Sequence, residues 1–450
     1  MRIFAFLFIS VLLLSCARET EFINRVASPD GKLEVEVLLT DEGAPRYMAT
    51  YEGKTIIDTS ALGFLFEETG PLLDQLDVIG STTDEVQDTW VPDWGENLEI
   101  ENHYQSLKLS LEERVAPNRK YDLHIKVYND GFGFRYEFSE QEGMDTVTIL
   151  DELTQFQLTG DHTAWWIPGD HDSYEYLYSE TRLSEVDARD YEYELDRPDR
   201  TIPDPHAVNT PVTMRTDSGL YLSFHEANLT DYAGMTLAIK EGNLLESALV
   251  PWADGSKVKT HVPFVTPWRT VQIASTPGKL IESNLMVNLN EPRILEDVSW
   301  IEPMKYTGIW WEMHLGKSSW AMREAEGSWA QKGVALHGAT TENARDYIDF
   351  TSEVGVRGFL VEGWNEGWEY WGEDTLGFFN FVQPYPDFDL PAVVEYAEER
   401  NVTVDSSFGV FVTRAVEFAS FSWEQVYASL KTDLVDQTLQ RQELSNPERP

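Results

Sequence analysis

From about residue 22 to about residue 300 the chain alternates. Runs such as KLEVEVLL (32–39), LKLSLEERV (107–115), LHIKVYND (123–130) and GLYLSFHEA (219–227) place apolar and polar residues at a period of two, with turn residues such as SPDG and NDG between runs. A period of two sends successive side chains to opposite faces of a strand, so each run can bury one face and wet the other. No sustained helical pattern, Gly-rich phosphate loop or regular repeat breaks this stretch. Only packed sheets satisfy that pattern over such a length, which predicts a large sandwich of antiparallel sheets over 22–300.

The pattern changes near residue 300. KYTGIWW (305–311) predicts a buried strand, TENARDYIDFTSEVG (341–355) a helix ending at Gly355, and GFLVEGW (358–364) a second strand. DLPAVVEYAEERN (389–401) predicts a helix capped by Asp389 with Pro391 in its first turn, and VTV (402–404) begins a third strand. Strand–helix–strand–helix–strand opens an α/β barrel or a doubly wound sheet. The two long insertions, 312–340 and 365–388, each follow the C-terminal end of a strand, the face on which α/β barrels build their sites. Glu362 therefore belongs at the mouth of a site, followed on its loop by Trp364, Trp368 and Trp371, with Trp310 and Trp311 ending the preceding strand. Aromatic faces suit the C–H faces of sugar rings, and carboxylates bind their hydroxyls. Paired carboxylates are also the machinery of glycoside hydrolysis.

Charge and the N-terminus bound the setting. The 450 residues carry 78 acids against 34 bases, a formal net charge of −44, spread along the chain as a solvated acidic coat. Such a surface repels phosphate backbones and excludes nucleic acid as a partner. MRIFAFLFISVLLLSC has a basic start and an apolar core too short to span a membrane, which fits a secretory signal over 1–16. Leu13-Leu14-Ser15-Cys16 resembles a bacterial lipobox, in which Cys16 would carry lipid and supply the membrane anchor. Cys16 is the only cysteine, so neither an intrachain disulfide nor a second thiol exists.

Several stretches together resemble glycoside hydrolase family 97. KYTGIWWEMHLGKSSW (305–320), HGATTENARDYIDFTSEVGVRGFLVEGWNEGW (337–368) and PYPDFDL (384–390) are similar to its catalytic region. AWWIPGDHDSYEYLY (164–178), HEANLTDYAGM (225–235) and TPWRT (266–270) are similar to its N-terminal domain. The resemblance implies an N-terminal β-super-sandwich (22–300) followed by the first part of a (β/α)8 TIM barrel (301–404). It also implies an exported, exo-acting bacterial α-glucosidase or α-galactosidase that cleaves terminal α-linked sugars of an oligosaccharide or polysaccharide with calcium. Export would place it in the periplasm or outer membrane. By the same resemblance Glu175 is a calcium ligand, and Glu362 contacts sugar in a pocket shared with Trp310 or Trp311.

The quoted motifs stop at Val404. Residues 405–450 begin DSSFGVFVTRAVEF, without the His-His segment and later acid-bearing strands that the family would place next. The general acid and the base or nucleophile are thus expected beyond this chain. Read one base later, the codons of Asp405-Ser406-Ser407 permit Ile-His-His, so a frameshift or truncation near codon 404 is expected, against a genuinely short form with a helix over 422–442. The competing function is a non-catalytic glycan-binding surface lipoprotein.

Overall fold

The structure is a computed structural model and describes residues 24–191, 201–322, 336–370, 380 and 383–405. Cys16, Trp371 and the 406–450 tail lie outside the described residues.

The alternation predicted for the first part is realised as sheets. In Leu33–Leu39 and Lys120–Tyr128 buried and half-buried positions alternate along the strand. Turn chemistry closes the hairpins where SPDG and NDG stand: Gly31 adopts φ +70° and donates to Ser28 O at 2.8 Å. Among the described residues an eight-stranded sheet runs from Asn24–Ala27 at one edge to Ala207–Asn209 at the other. A ten-stranded sheet centres on Trp268–Ala274, Gly131–Phe138, Lys120–Tyr128 and Ile100–Glu113, and a four-stranded sheet holds Thr146–Glu152. The pairings are antiparallel throughout these three sheets.

One apolar core joins all three, with Tyr47 from the first, Phe132, Phe134 and Phe138 from the second, and Phe64 and Ile149 from the third. Tyr47 meets Phe134 at 5.0 Å and Phe64 meets Tyr136 edge-on at 4.7 Å, the tilted geometries aromatic quadrupoles favour. The sequence pattern does not predict the two five-residue helices that follow, Pro277–Ile281 and Leu285–Leu289. They cover the far face of the large sheet, where Leu285 and Leu289 pack with Trp268 and Tyr128. Gly133 makes the approach possible, since a Cβ there would lie 2.7 Å from Leu289 Cδ1.

Past residue 305 three short strands pair in parallel: Tyr306–Gly308, Gly358–Leu360 and Thr403–Asp405. Helices Thr341–Glu353 and Leu390–Glu398 connect them. Thr340 caps the first by accepting from Asn343 N, and Asp389 caps the second by accepting from Ala392 N, each filling a donor the helix end leaves open. Their buried faces, Ala344, Ile348, Val393 and Ala397, meet Phe359, Val361 and Val404 of the sheet.

Two sequence expectations need correction here. The 305–311 strand is only 306–308, and Trp310–His314 forms a helical turn. Ile309 still donates to Leu360 O, but the chain then bends because the neighbouring strand itself ends at Leu360. For the same reason the 358–364 strand is 358–360, and Glu362 stands two residues beyond the ladder.

Candidate functional site

The site grows out of the C-terminal ends of the first two parallel strands. After Leu360, Val361 is buried in the core, Glu362 is half-buried, and Gly363 turns the chain at φ +80°. The turn is tight: a Cβ on Gly363 would lie 2.8 Å from Trp320 O. His337 fixes it from the other side, where its Nε2 donates to Gly363 O at 2.8 Å while Nδ1 faces Asp387 Oδ2 at 2.9 Å. The backbone on either side of Glu362 is therefore held by burial before it and by hydrogen bonding after it.

The Glu362 carboxylate accepts a hydrogen bond from Trp320 Nε1 at 2.9 Å. Trp320 belongs to a row of rings. It stacks on Trp368 with centroids 6.3 Å apart and meets His314 edge-on at 5.1 Å. His314 in turn meets Trp310 at 5.3 Å, and Trp310 meets Trp311 at 5.4 Å, both near perpendicular. The helical turn makes the Trp310–His314 link, because residues four apart share one face of a helix. The row runs from buried Trp368 to Trp311, which is 58% exposed. The arrangement offers a fixed carboxylate beside Trp320 and, further along the row, an open indole at Trp311, groups that suit hydroxylated, partly apolar rings.

Of the predicted residues Glu362 touches Trp320, whereas Trp310 and Trp311 connect to it only through His314 and Trp320. Trp364 turns the other way: it is buried and packs on Phe388 at 6.0 Å, within the core of the parallel sheet. Glu175 is exposed on the loop after the Thr163–Trp166 strand, and its described hydrogen bond, from its backbone N–H to Ser173 Oγ at 3.1 Å, is local to that loop. Sequence reasoning missed Trp320, His314 and His337. The i, i+4 spacing of Trp310 and His314 was the available signal, hidden because the segment reads as a strand.

Calcium takes six to eight oxygen ligands. Among the described residues the tight group of three candidate ligands is Asp122, His124 and Glu137, on the outer face of the large sheet, with ligand atoms within 4.8 Å. Lys108 Nζ lies 2.7 Å from Asp122 Oδ2, Ser110 Oγ lies 2.6 Å from Oδ1, and His124 meets Glu137 at 2.7 Å. Burial works to raise the Asp122 carboxyl, yet Lys108 and Ser110 hold it below its ordinary value. This is a cross-strand ion-pair ladder with a cation already in it, and it does not fit calcium.

With this geometry in place, the matches to known proteins decide the family. Residues 26–292 match the family described as Glycosyl-hydrolase 97 N-terminal, and 310–445 match Glycoside hydrolase 97. The chain belongs to glycoside hydrolase family 97. The second match runs past Val404, further than the motifs quoted above, into residues outside the described ones. A retaining alpha-galactosidase of Bacteroides thetaiotaomicron is 24% identical over 90% of this chain and 58% of its own. A family 97 enzyme of Pseudoalteromonas sp. strain K8, solved with acarbose, is 34% identical with a TM-score of 0.73, over 85% of this chain and 53% of that one. A variant of it solved with panose matches equally. The chain thus spans a little over half the length of these relatives, and its β-rich first part is the family's N-terminal domain.

Proposed function

We propose that this chain belongs to an exported α-glycosidase, of α-glucosidase or α-galactosidase type, that hydrolyses terminal α-linked sugars of an oligosaccharide. The observation that carries this reading is Glu362, held by Trp320 within a row of rings on the C-terminal side of parallel strands. The parallel strands and helices of 306–405 are then the opening of a (β/α)8 barrel, whose sites lie on that side. Glu362 would accept a sugar hydroxyl, with its second oxygen oriented by the indole N–H, while Trp311 and Trp310 offer faces to the ring. Hydrolysis would need a carboxylic acid to protonate the glycosidic oxygen and a second carboxylate to attack or to activate water. Neither is assigned to a described residue. Calcium, as the resemblance implies, would orient substrate and offset clustered acids, with Glu175 as one ligand; the described residues form no complete donor set for it. Cys16 would carry the lipid that anchors the protein at the outer membrane or in the periplasm.

The relatives solved with acarbose and panose support an oligosaccharide ligand. The test is titration of the chain with panose and raffinose, together with an assay on aryl α-glucoside and α-galactoside. Turnover would show that this chain carries its own acid and base, and Glu362→Gln should then cut it at least tenfold, the effect of weakening one charge-assisted contact. Binding without turnover would favour a glycan-binding lipoprotein, and turnover untouched by Glu362→Gln would remove Glu362 from the site.

A further inference from the structure

The sandwich carries a groove of its own, of about 330 Å³, between the 231–234 loop and the 250–259 segment. Its walls include Asp231, Tyr232, Trp252, Lys257 and Lys259, and it is separate from the Glu362 group, which is built from residues 308–388. Trp252 is 58% exposed.

The turn that carries the exposed indole is tightly bonded. The Trp252 backbone N–H donates to Ser256 O at 2.7 Å, and the backbone N–H of Gly255, at φ +88°, donates back to Trp252 O at 2.9 Å. Asp254 locks this turn by accepting from Ser256 N and Oγ at 3.0 and 2.6 Å and from Lys259 Nζ at 2.5 Å. Tyr232 is equally fixed: its hydroxyl donates to Glu152 Oε2 at 2.9 Å, and Arg269 clamps Glu152 from within the core. The backbone turn beneath Trp252 and the Tyr232 hydroxyl are thus fixed before any ligand arrives, which lowers the ordering cost of binding.

The polar groups are balanced. The lining holds Asp231 together with Lys257 and Lys259, and Lys259 is already paired with Asp254 outside the lining, so the groove is not strongly of one sign. Ammonium and carboxylate groups around an indole suit a neutral ligand rich in hydroxyls with an apolar face, which is a pyranose sugar. The volume lies at the small end of ligand sites and fits one or two rings. We infer that this groove on the N-terminal sandwich binds a neutral glycan at a site of its own, with Trp252 as the stacking face.

The experiment is calorimetric titration of the full chain with panose and with raffinose, comparing wild type, Trp252→Ala, Trp252→Phe and Glu362→Gln. Trp252 is exposed, so its removal leaves the core packing intact, and far-UV circular dichroism checks that. Expected is a binding event kept by Glu362→Gln and by Trp252→Phe but weakened roughly tenfold or more in Trp252→Ala. Equal binding by Trp252→Ala and wild type overturns the proposal. So does binding lost only in Glu362→Gln, which would place the sugar on the parallel sheet alone, and so does saturable binding of neither sugar.

Discussion

Arg269 is fully buried and holds two carboxylates, Glu152 through Nε and Nη2 at 2.8 and 2.7 Å and Glu226 through Nη1 at 2.6 Å. One cation between two acids cannot serve both equally. Burial works to raise Glu152, but Arg269, Tyr232 and Thr154 overcome it and hold that carboxyl below its ordinary value. Glu226, with Arg269 on one oxygen and Met235 N on the other, is raised by burial nonetheless. The signs oppose. Glu152 stabilises the fold above its unfolded value near 4.5, and that contribution is lost as pH falls through its lowered folded value. Glu226 stabilises below 4.5 and loses that contribution as pH rises through its raised folded value. Glu152→Gln should therefore cost about 3–5 kcal/mol at pH 7, and less at pH 4. Glu226→Gln should cost clearly less at pH 7, because Glu152 still balances Arg269. Urea midpoints at the two pH values check this, and equal costs for the two variants would refute the asymmetry. The residues were legible in HEANLTDYAGM and TPWRT, but nothing in their spacing tells that Arg269 reaches across to Glu152, 117 residues away in sequence.

At the level of elements, the helix Thr341–Glu353 sets the wall behind the site. Its cap, Thr340, accepts from Asn343 N at 3.1 Å, and Asn343 then reaches Glu312 Oε1 at 2.6 Å and Gly338 O at 3.0 Å. Thr340→Ala should cost about 1 kcal/mol of stability, the usual worth of an N-cap, and should weaken panose binding by loosening the 310–314 turn through Glu312. A thermal midpoint unchanged within error would show that Asn343 alone holds the turn. Both connecting helices were legible because thirteen and nine residues give a 3.6 period room to show, and Asp389 and Gly355 mark their ends. The long strands were legible for the same reason, as in Lys120–Tyr128. The parallel strands are three residues each, too short for any period, and their limits are set by where the neighbour stops pairing. Ile309-Trp310-Trp311 has strong strand propensity, which tertiary geometry overrode. Glu362 was visible because it lies just past a strand, two residues beyond Leu360, whereas its partner Trp320 stands 42 residues earlier in an insertion without periodicity.

At the scale of the whole molecule the two parts differ in how they protect their backbones. The three antiparallel sheets share one core, and the ten-stranded sheet has its far face partly covered by the 277–289 helices. The parallel sheet has three strands among the described residues, and both its outer strands, Tyr306–Gly308 and Thr403–Asp405, pair on one side only. Parallel sheets are ordinarily buried on both faces, and unpaired edges open locally at low cost. Between the parts, the 290–305 segment is tied to the sandwich at its start, by Arg135–Glu291 at 3.0 Å and Arg293–Asp93 at 2.8 Å. It then becomes open, with Ile294 95% and Leu295 54% exposed. Thermolysin cuts before such residues and needs an accessible, deformable backbone. Limited digestion should therefore cut first near Ile294 and leave a sandwich fragment ending near residue 293, long after the 306–405 region has gone. That fragment keeps the Trp252 groove and lacks Glu362, so its titration with panose would separate the two sugar sites physically. Digestion of the 24–290 region as fast as the rest would mean that the sandwich depends on the parallel sheet for its stability, and that the shared core does not suffice to hold it.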